Sequence, residues 1–308
     1  MSARYTVLTG GVGGAKLVDG LYRILPPHSL TAIVNTGDDF RHYGLPISPD
    51  IDTLLYTLSG RSNQTLGWGR EGETWNFMAA LTSLGGENWF NLGDGDLALH
   101  VLRGHALASG ETLTSIIASF AAAWNLALTV LPMTDDAVAT FVDTDEGLLP
   151  FQRYFVERRC EPRLLSVQFV GAQAAAAAPG VVEAIMTSDA VLVAPSNPWL
   201  SVDPMLAIPA IRAALAATPA PVVAVSPLVG GTAVKGPTAK LMAELGLAIT
   251  NDAIAGHYGS WLDGLLIHGD DDAPAGVAHA RTDTLMHTAD DRTRVARAAL
   301  VLAEECAA

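Results

Sequence analysis

The chain has almost no cysteine. Its two thiols, Cys160 and Cys306, have no metal-binding or redox spacing, which argues against a disulfide framework and a thiolate metal centre. Positive charge is also scarce. With 18 Lys and Arg against 32 Asp and Glu, the formal charge is -14. A nucleic-acid-binding surface needs clustered cations, so no nucleic-acid partner is expected. No apolar run approaches the roughly 20 residues of a membrane span, so no membrane association is expected. The first residues enter a strand pattern with no apolar targeting segment before it, so the reading is a cytoplasmic protein without a signal peptide. Only 16% of residues are charged and 50% are hydrophobic, a balance that suits a large packed core and excludes disorder.

What is present is alternation. Short Val/Leu/Ile runs at residues 5–8, 32–34, 128–131, 165–169, 190–193, 222–225 and 265–267 read as strands buried on both faces. Helical patterns lie between them at 15–25, 51–59, 74–84, 113–124, 180–186, 204–217, 239–245, 254–258 and 292–305. The expected fold is α/β, a Rossmann-like doubly wound and mostly parallel sheet, with residues 1–308 as one domain. Residues 60–160 read as an insertion, mainly helical. They include a hairpin in which Thr140-Phe141-Val142-Asp143 and Leu149-Pro150-Phe151-Gln152 flank a four-residue turn.

The chemistry-bearing residues gather after the first two strands. Gly10-Gly11-Val12-Gly13-Gly14-Ala15-Lys16 follows the first. Glycines there let backbone N–H groups approach a phosphate. The loop is not a full dinucleotide fingerprint, because Lys16 stands where a third glycine belongs, and it is not a Walker A loop. Asn35-Thr36-Gly37-Asp38-Asp39 follows the second strand, then Ser48-Pro49-Asp50-Ile51-Asp52. Asp50 alone reads as a helix N-cap. Four acids so close together repel one another unless a cation sits between them, and an all-oxygen set favours magnesium.

Other segments add polar or aromatic groups. The loop Gly67-Trp68-Gly69-Arg70 through Trp75 offers faces for a flat heterocycle. Asn91-Leu92-Gly93-Asp94-Gly95-Asp96 is a second acid-and-glycine turn before a helix, with Asp94 as its cap and His100 and Arg103 on a solvated face. Pro195-Ser196-Asn197-Pro198 follows a buried strand and offers donors and acceptors to a base edge. Lys235 is placed to meet a phosphate. An NAD-dependent dehydrogenase is a further reading of the first loop and Asp38, weakened by the missing glycine and the extra acids.

Taken in order, these motifs resemble the CofD/FbiA family, the 2-phospho-L-lactate transferases of coenzyme F420 biosynthesis. The resemblance implies transfer of a phospho-acyl group (2-phospholactyl, phosphoenolpyruvyl or phosphoglyceryl) from a guanosine diphosphate ester. The acceptor is the ribityl hydroxyl of the deazaflavin Fo, GMP is released, and Mg2+ is the cofactor. It further implies catalytic roles for Asp50 and Asp52 near the Fo hydroxyl and metal or diphosphate roles for Asp38, Asp39 and Asp52. Gly11, Gly13, Gly14, Lys16 and Asn35 fall on the phosphate side, Ser196 and Asn197 on the guanosine side, and Lys235 on a second phosphate-side loop. Trp68, Asn91 and Asp94 fall on the Fo side. A homodimer is implied too. The pattern departs at Asn91 and Gly95, where many members carry basic residues. A CofD-like nucleotide-sugar-binding regulator without transferase activity is the alternative.

Overall fold

The computed structural model describes residues 3–233 and 237–307. In chain order the elements begin with β1 (Tyr5–Thr9), α1 (Gly11–Ile24), β2 (Leu30–Val34) and the hairpin β3 (Phe40–His42) and β4 (Leu45–Ile47). Helices α2 (Pro49–Leu58), α3 (Asn76–Ser83), α4 (Asp96–Ala108) and α5 (Leu113–Ala123) follow. Then come β5 (Thr129–Pro132), β6 (Ala139–Thr144), β7 (Gly147–Pro150), β8 (Leu164–Val170), α6 (Val181–Thr187), β9 (Ala190–Val193), α7 (Asp203–Leu206) and α8 (Pro209–Ala217). The rest comprises β10 (Val222–Val225), β11 (Leu228–Val229), β12 (Thr232–Ala233), α9 (Thr238–Glu244), α10 (Asn251–Tyr258), β13 (Gly264–His268), β14 (Ala278–Thr282) and α11 (Ala289–Ala307).

Seven strands form one parallel sheet in the order β14-β13-β10-β9-β1-β2-β5. Side chains alternate across it. Leu8, Ile33, Val193 and Ala224 face one apolar core with α6, α8 and α10, while Val7, Val34, Leu192 and Val225 face another with α1, α2, α5 and α11. Both faces are covered, which is why the strands read as unbroken apolar runs. From β1 the chain winds outwards to β2 and β5, then returns to the other side of β1 through β9. The winding direction therefore reverses between β1 and β9, and the crevice beyond the carboxyl ends of those strands is the place where open α/β sheets bind ligands.

Several sequence expectations change. The 60–160 span is not one continuous insertion, because β5 within it joins the main sheet. The hairpin forms as β6 and β7, but the 165–169 run pairs antiparallel with β6 in a separate three-stranded sheet. That sheet buries only one face; Leu165 and Val170 remain exposed. The polar edge strand β14 lacks an apolar run and escapes pattern reading. The helix expected over 204–217 breaks into α7 and α8 at Ile208, held extended by Pro209.

Candidate active site

The glycine segment is the first turn of a helix rather than a free loop. Gly10 is the last extended residue, and Gly11, Gly13 and Gly14 already belong to α1. Close approach explains two of them. A Cβ at Gly13 would lie 2.8 Å from the Pro195 carbonyl oxygen, and one at Gly14 would lie 2.8 Å from Ser196 Oγ. Gly11 differs: its φ is +66°, and nothing would lie within 4 Å of a Cβ there. The Cβ position of Gly11 thus faces free space, and the helix dipole at this end of α1 favours negative charge, here supplied by the Asp50 carboxylate on Gly11 N.

Ser196 welds this turn to the loop after β9. Its hydroxyl donates to Gly10 O at 2.7 Å and accepts from Gly10 N at 3.2 Å. Asn197 Oδ1 accepts from the Trp199 and Leu200 amides and so caps the wide helical turn Pro198–Val202. Its Nδ2 is buried without a partner.

The four acids converge at the same edge. Gly11 N donates to Asp50 Oδ1 at 2.8 Å and Asn35 Nδ2 to Asp50 Oδ2 at 3.0 Å, while Asn35 Oδ1 accepts from Gly37 N. Burial nevertheless lifts the Asp50 carboxyl to about 6. Burial also raises Asp38 well above the usual carboxylate range, helped by the charge of Asp50, and raises Asp39 despite its bond from the Ser48 hydroxyl. Asp38 Oδ1 and Asp39 Oδ1 are buried with no hydrogen-bond partner, as are the hydroxyls of Thr9, Thr36 and Thr140. The second sheet also reaches this edge: Thr140 N donates to Gly37 O, and Gln152 Nε2 to Asp38 O. Among the described residues, no three His, Cys, Asp or Glu side chains form a ready-made metal centre. Magnesium does not need one, since it takes one or two carboxylates, waters and substrate phosphates. Two buried, unpartnered carboxylate oxygens fit that requirement.

Asp52 takes a different partner from the one expected. It sits in a buried ion pair with Arg103, whose NH1 lies 3.2 Å from Asp52 Oδ2. Arg103 is fully buried rather than on a solvated face, and so is His100. His100 Nε2 lies 3.0 Å from Asp96 Oδ2, Nδ1 lies 3.7 Å from Asp52 Oδ2, and the Tyr56 hydroxyl donates to Asp96. A chain of polar contacts therefore runs Asp52–His100–Asp96–Tyr56. Its signal was present in the sequence: Asp96, His100 and Arg103, at i, i+4 and i+7, share one face of a helix.

Asp96 also lines a shallow cleft with Leu66, Trp68, Arg70, Trp75 and Asn91. Trp68 and Asn91 thus line the same cleft. Three expectations fail or fall elsewhere. Lys16 turns away from the glycine turn, its ammonium donating to Met286 O at 2.7 Å. Asp94 caps α3, not the helix that follows it, accepting from the Asn76 and Phe77 amides and the Thr74 hydroxyl, contacts that hold it down to about 2. Lys235 lies outside the described residues.

The family profile described as 2-phospho-L-lactate transferase CofD matches residues 5–305. A phosphoenolpyruvate transferase from Kitasatospora aureofaciens is 41% identical over 98% of both chains. One from Mycolicibacterium smegmatis is 38% identical over 97% of this chain and 98% of its own. A crystal structure of a UPF0052-family protein from Bacillus halodurans shares the fold, with TM-score 0.64 and 18% identity over 97% of this chain and 99% of that one. The near-complete match to the family profile and the relatives at about 40% identity place the chain in one family: it belongs to the CofD, 2-phospho-L-lactate transferase, family.

Proposed function

We propose that this protein moves a phosphoenolpyruvyl group from its guanosine diphosphate ester to the ribityl hydroxyl of the deazaflavin Fo, releasing GMP, in coenzyme F420 biosynthesis. The observation that carries the reading is the cluster of four aspartates beside the N-terminus of α1, with Asp38, Asp50 and Asp52 buried, Asp39 half-buried, and unpartnered oxygens on Asp38 and Asp39. The enolpyruvyl choice among the three small acids rests on the relatives named as phosphoenolpyruvate transferases.

The acceptor hydroxyl attacks the phosphorus that bears the small acid. A new P–O bond forms, the bond to the guanosine phosphate breaks, and GMP leaves. Asp50, poised near neutrality and held by Gly11 N and Asn35, is matched to take the hydroxyl proton. Asp52, neutralised by Arg103, orients the acceptor. Asp38 and Asp39 would hold magnesium, which, when bound, offsets charge on the diphosphate and the leaving phosphate. Pre-set donors and charges are what phosphoryl transfer needs, so no nucleophilic side chain is required.

Offering the enolpyruvyl, lactyl and glyceryl esters together with Fo and magnesium, then weighing the product, tests the proposal. The enolpyruvyl phosphodiester is expected to dominate. Dominance of another product would overturn the choice of acid. The homodimer belongs to the same reading, and light scattering checks it.

A further inference from the structure

The cleft beside Asp96 holds one guanidinium, and the chain is built to aim it. Arg70 follows two glycines in left-handed conformations, Gly67 and Gly69, and its backbone forms an antiparallel bridge with Ser62 just after α2. Glu71 N donates to Arg61 O and Asn63 N to Gly69 O, which closes the loop on both sides of Arg70. The guanidinium NH1 donates to Glu73 Oε1 at 3.2 Å. The other Glu73 oxygen accepts from Gly95 N at 2.6 Å. One nearly buried carboxylate therefore fixes the arginine head and the turn that leads into α4 and Asp96. The Arg70 side chain is 32% exposed, so part of its head remains open to the cleft.

Gly95 matters here as empty space. A Cβ built on it would overlap Arg70 NH1, its nearest neighbour, before any other atom. Any side chain at 95 would push the guanidinium out of its present place. Trp68 and Trp75, 48% and 40% exposed, line the same cleft.

We propose that Arg70 is a specificity-determining contact for the acceptor ring, and that Gly95 is the vacancy that lets it reach there. A planar guanidinium with paired donors matches the carbonyl-rich edge of a flat heterocycle such as a pyrimidinedione. The two tryptophans supply faces for the ring to stack on. Arg70 does not touch the glycine turn or Asp38 and Asp39; Asp96 and His100 lie between it and Asp52. Its influence therefore falls on the acceptor and not on the guanosine ester. This inference rests on the transferase reading and adds the residue that selects the acceptor.

The test measures Fo binding by quenching of tryptophan fluorescence and, separately, the KM for each substrate. Arg70→Gln is expected to weaken Fo binding and raise the KM for Fo roughly tenfold, the scale of one lost charge-assisted hydrogen bond. The KM for the ester is expected to stay within about twofold, because these contacts lie two links away. Gly95→Ala, which displaces the arginine without removing it, is expected to do the same with little change in melting temperature, since the displaced atom ends a flexible side chain. Combining Gly95→Ala with Arg70→Gln is expected to be no worse than Arg70→Gln alone, whereas a merely structural role for each would give additive losses. Unchanged quenching by Fo in Arg70→Gln overturns the proposal even where turnover is intact, leaving the transferase reading standing. No GMP release by the wild-type protein with any of the three esters sinks that reading instead.

Discussion

Replacing Asp50 by Asn is expected to make the free protein more stable at alkaline pH while it abolishes turnover. Burial holds the folded-state Asp50 carboxyl at about 6 against an ordinary value of 3.8. A folded pKa above the unfolded one means the folded state prefers the protonated form. Its contribution is fully present below about 3.8 and is lost as pH rises through about 6. At pH 8 two units of displacement amount to on the order of 3 kcal/mol. Asparagine still accepts from Gly11 N, but its amide faces Asn35 Nδ2, also a donor, which returns about 1–2 kcal/mol of that gain. The net gain at pH 8 is about 1–2 kcal/mol, at roughly 2–4 °C in melting temperature for each kcal/mol in a large domain. Near pH 5 about one unit of the displacement is gone, some 1.4 kcal/mol, and the gain vanishes or reverses. Thermal unfolding of both proteins across pH 5–8, without metal or nucleotide, reads this directly. A variant less stable than wild type by the same amount at every pH would show instead that the Asp50 charge is not held at a cost.

The other predictions concern separate parts of the site. Arg103→Met leaves Asp52 charged and unpaired in the interior and should destabilise by about 3–5 kcal/mol in urea unfolding; a loss under 1 kcal/mol would show the pair to be solvated. Gly13→Ala drives a Cβ towards the Pro195 carbonyl, a backbone atom that yields poorly, and should cost about 1–3 kcal/mol by the same method. At pH 8, magnesium with GDP should raise the wild-type melting temperature as binding draws on the folded state, and Asp38→Asn should lose most of that rise. Equal rises in both proteins would remove Asp38 from the metal site.

Much of the sheet was legible because its strands are short and buried on both faces, so runs such as residues 190–193 and 222–225 stand out from their surroundings. The edge strand β14 was not, since Ala-His-Ala-Arg-Thr carries no apolar period. Spacing could not say which sheet the 165–169 run would join. In the site, the clustering of Asp38, Asp39, Asp50 and Asp52 was visible, but their partners were not. Arg103 lies 51 residues from Asp52 in sequence, and only the packing of α4 brings its guanidinium to that carboxylate. Lys16 sat beside the glycines in sequence yet leaves on another face of α1, a consequence of helical geometry starting at Gly11 rather than at Ala15. Asp94 is a cap, as its place before an apolar helix suggests, but it caps the helix that precedes it, because its partners Thr74, Asn76 and Phe77 lie earlier in the chain.

The most direct test of the whole account is a transfer assay with Fo, the guanosine diphosphate ester of enolpyruvate and magnesium, following GMP and the Fo phosphodiester together. One GMP is expected for each Fo consumed, with both falling away when magnesium is chelated or when Asp50 is replaced by Asn. Absence of GMP release with the enolpyruvyl, lactyl and glyceryl esters alike, from folded protein, would contradict it.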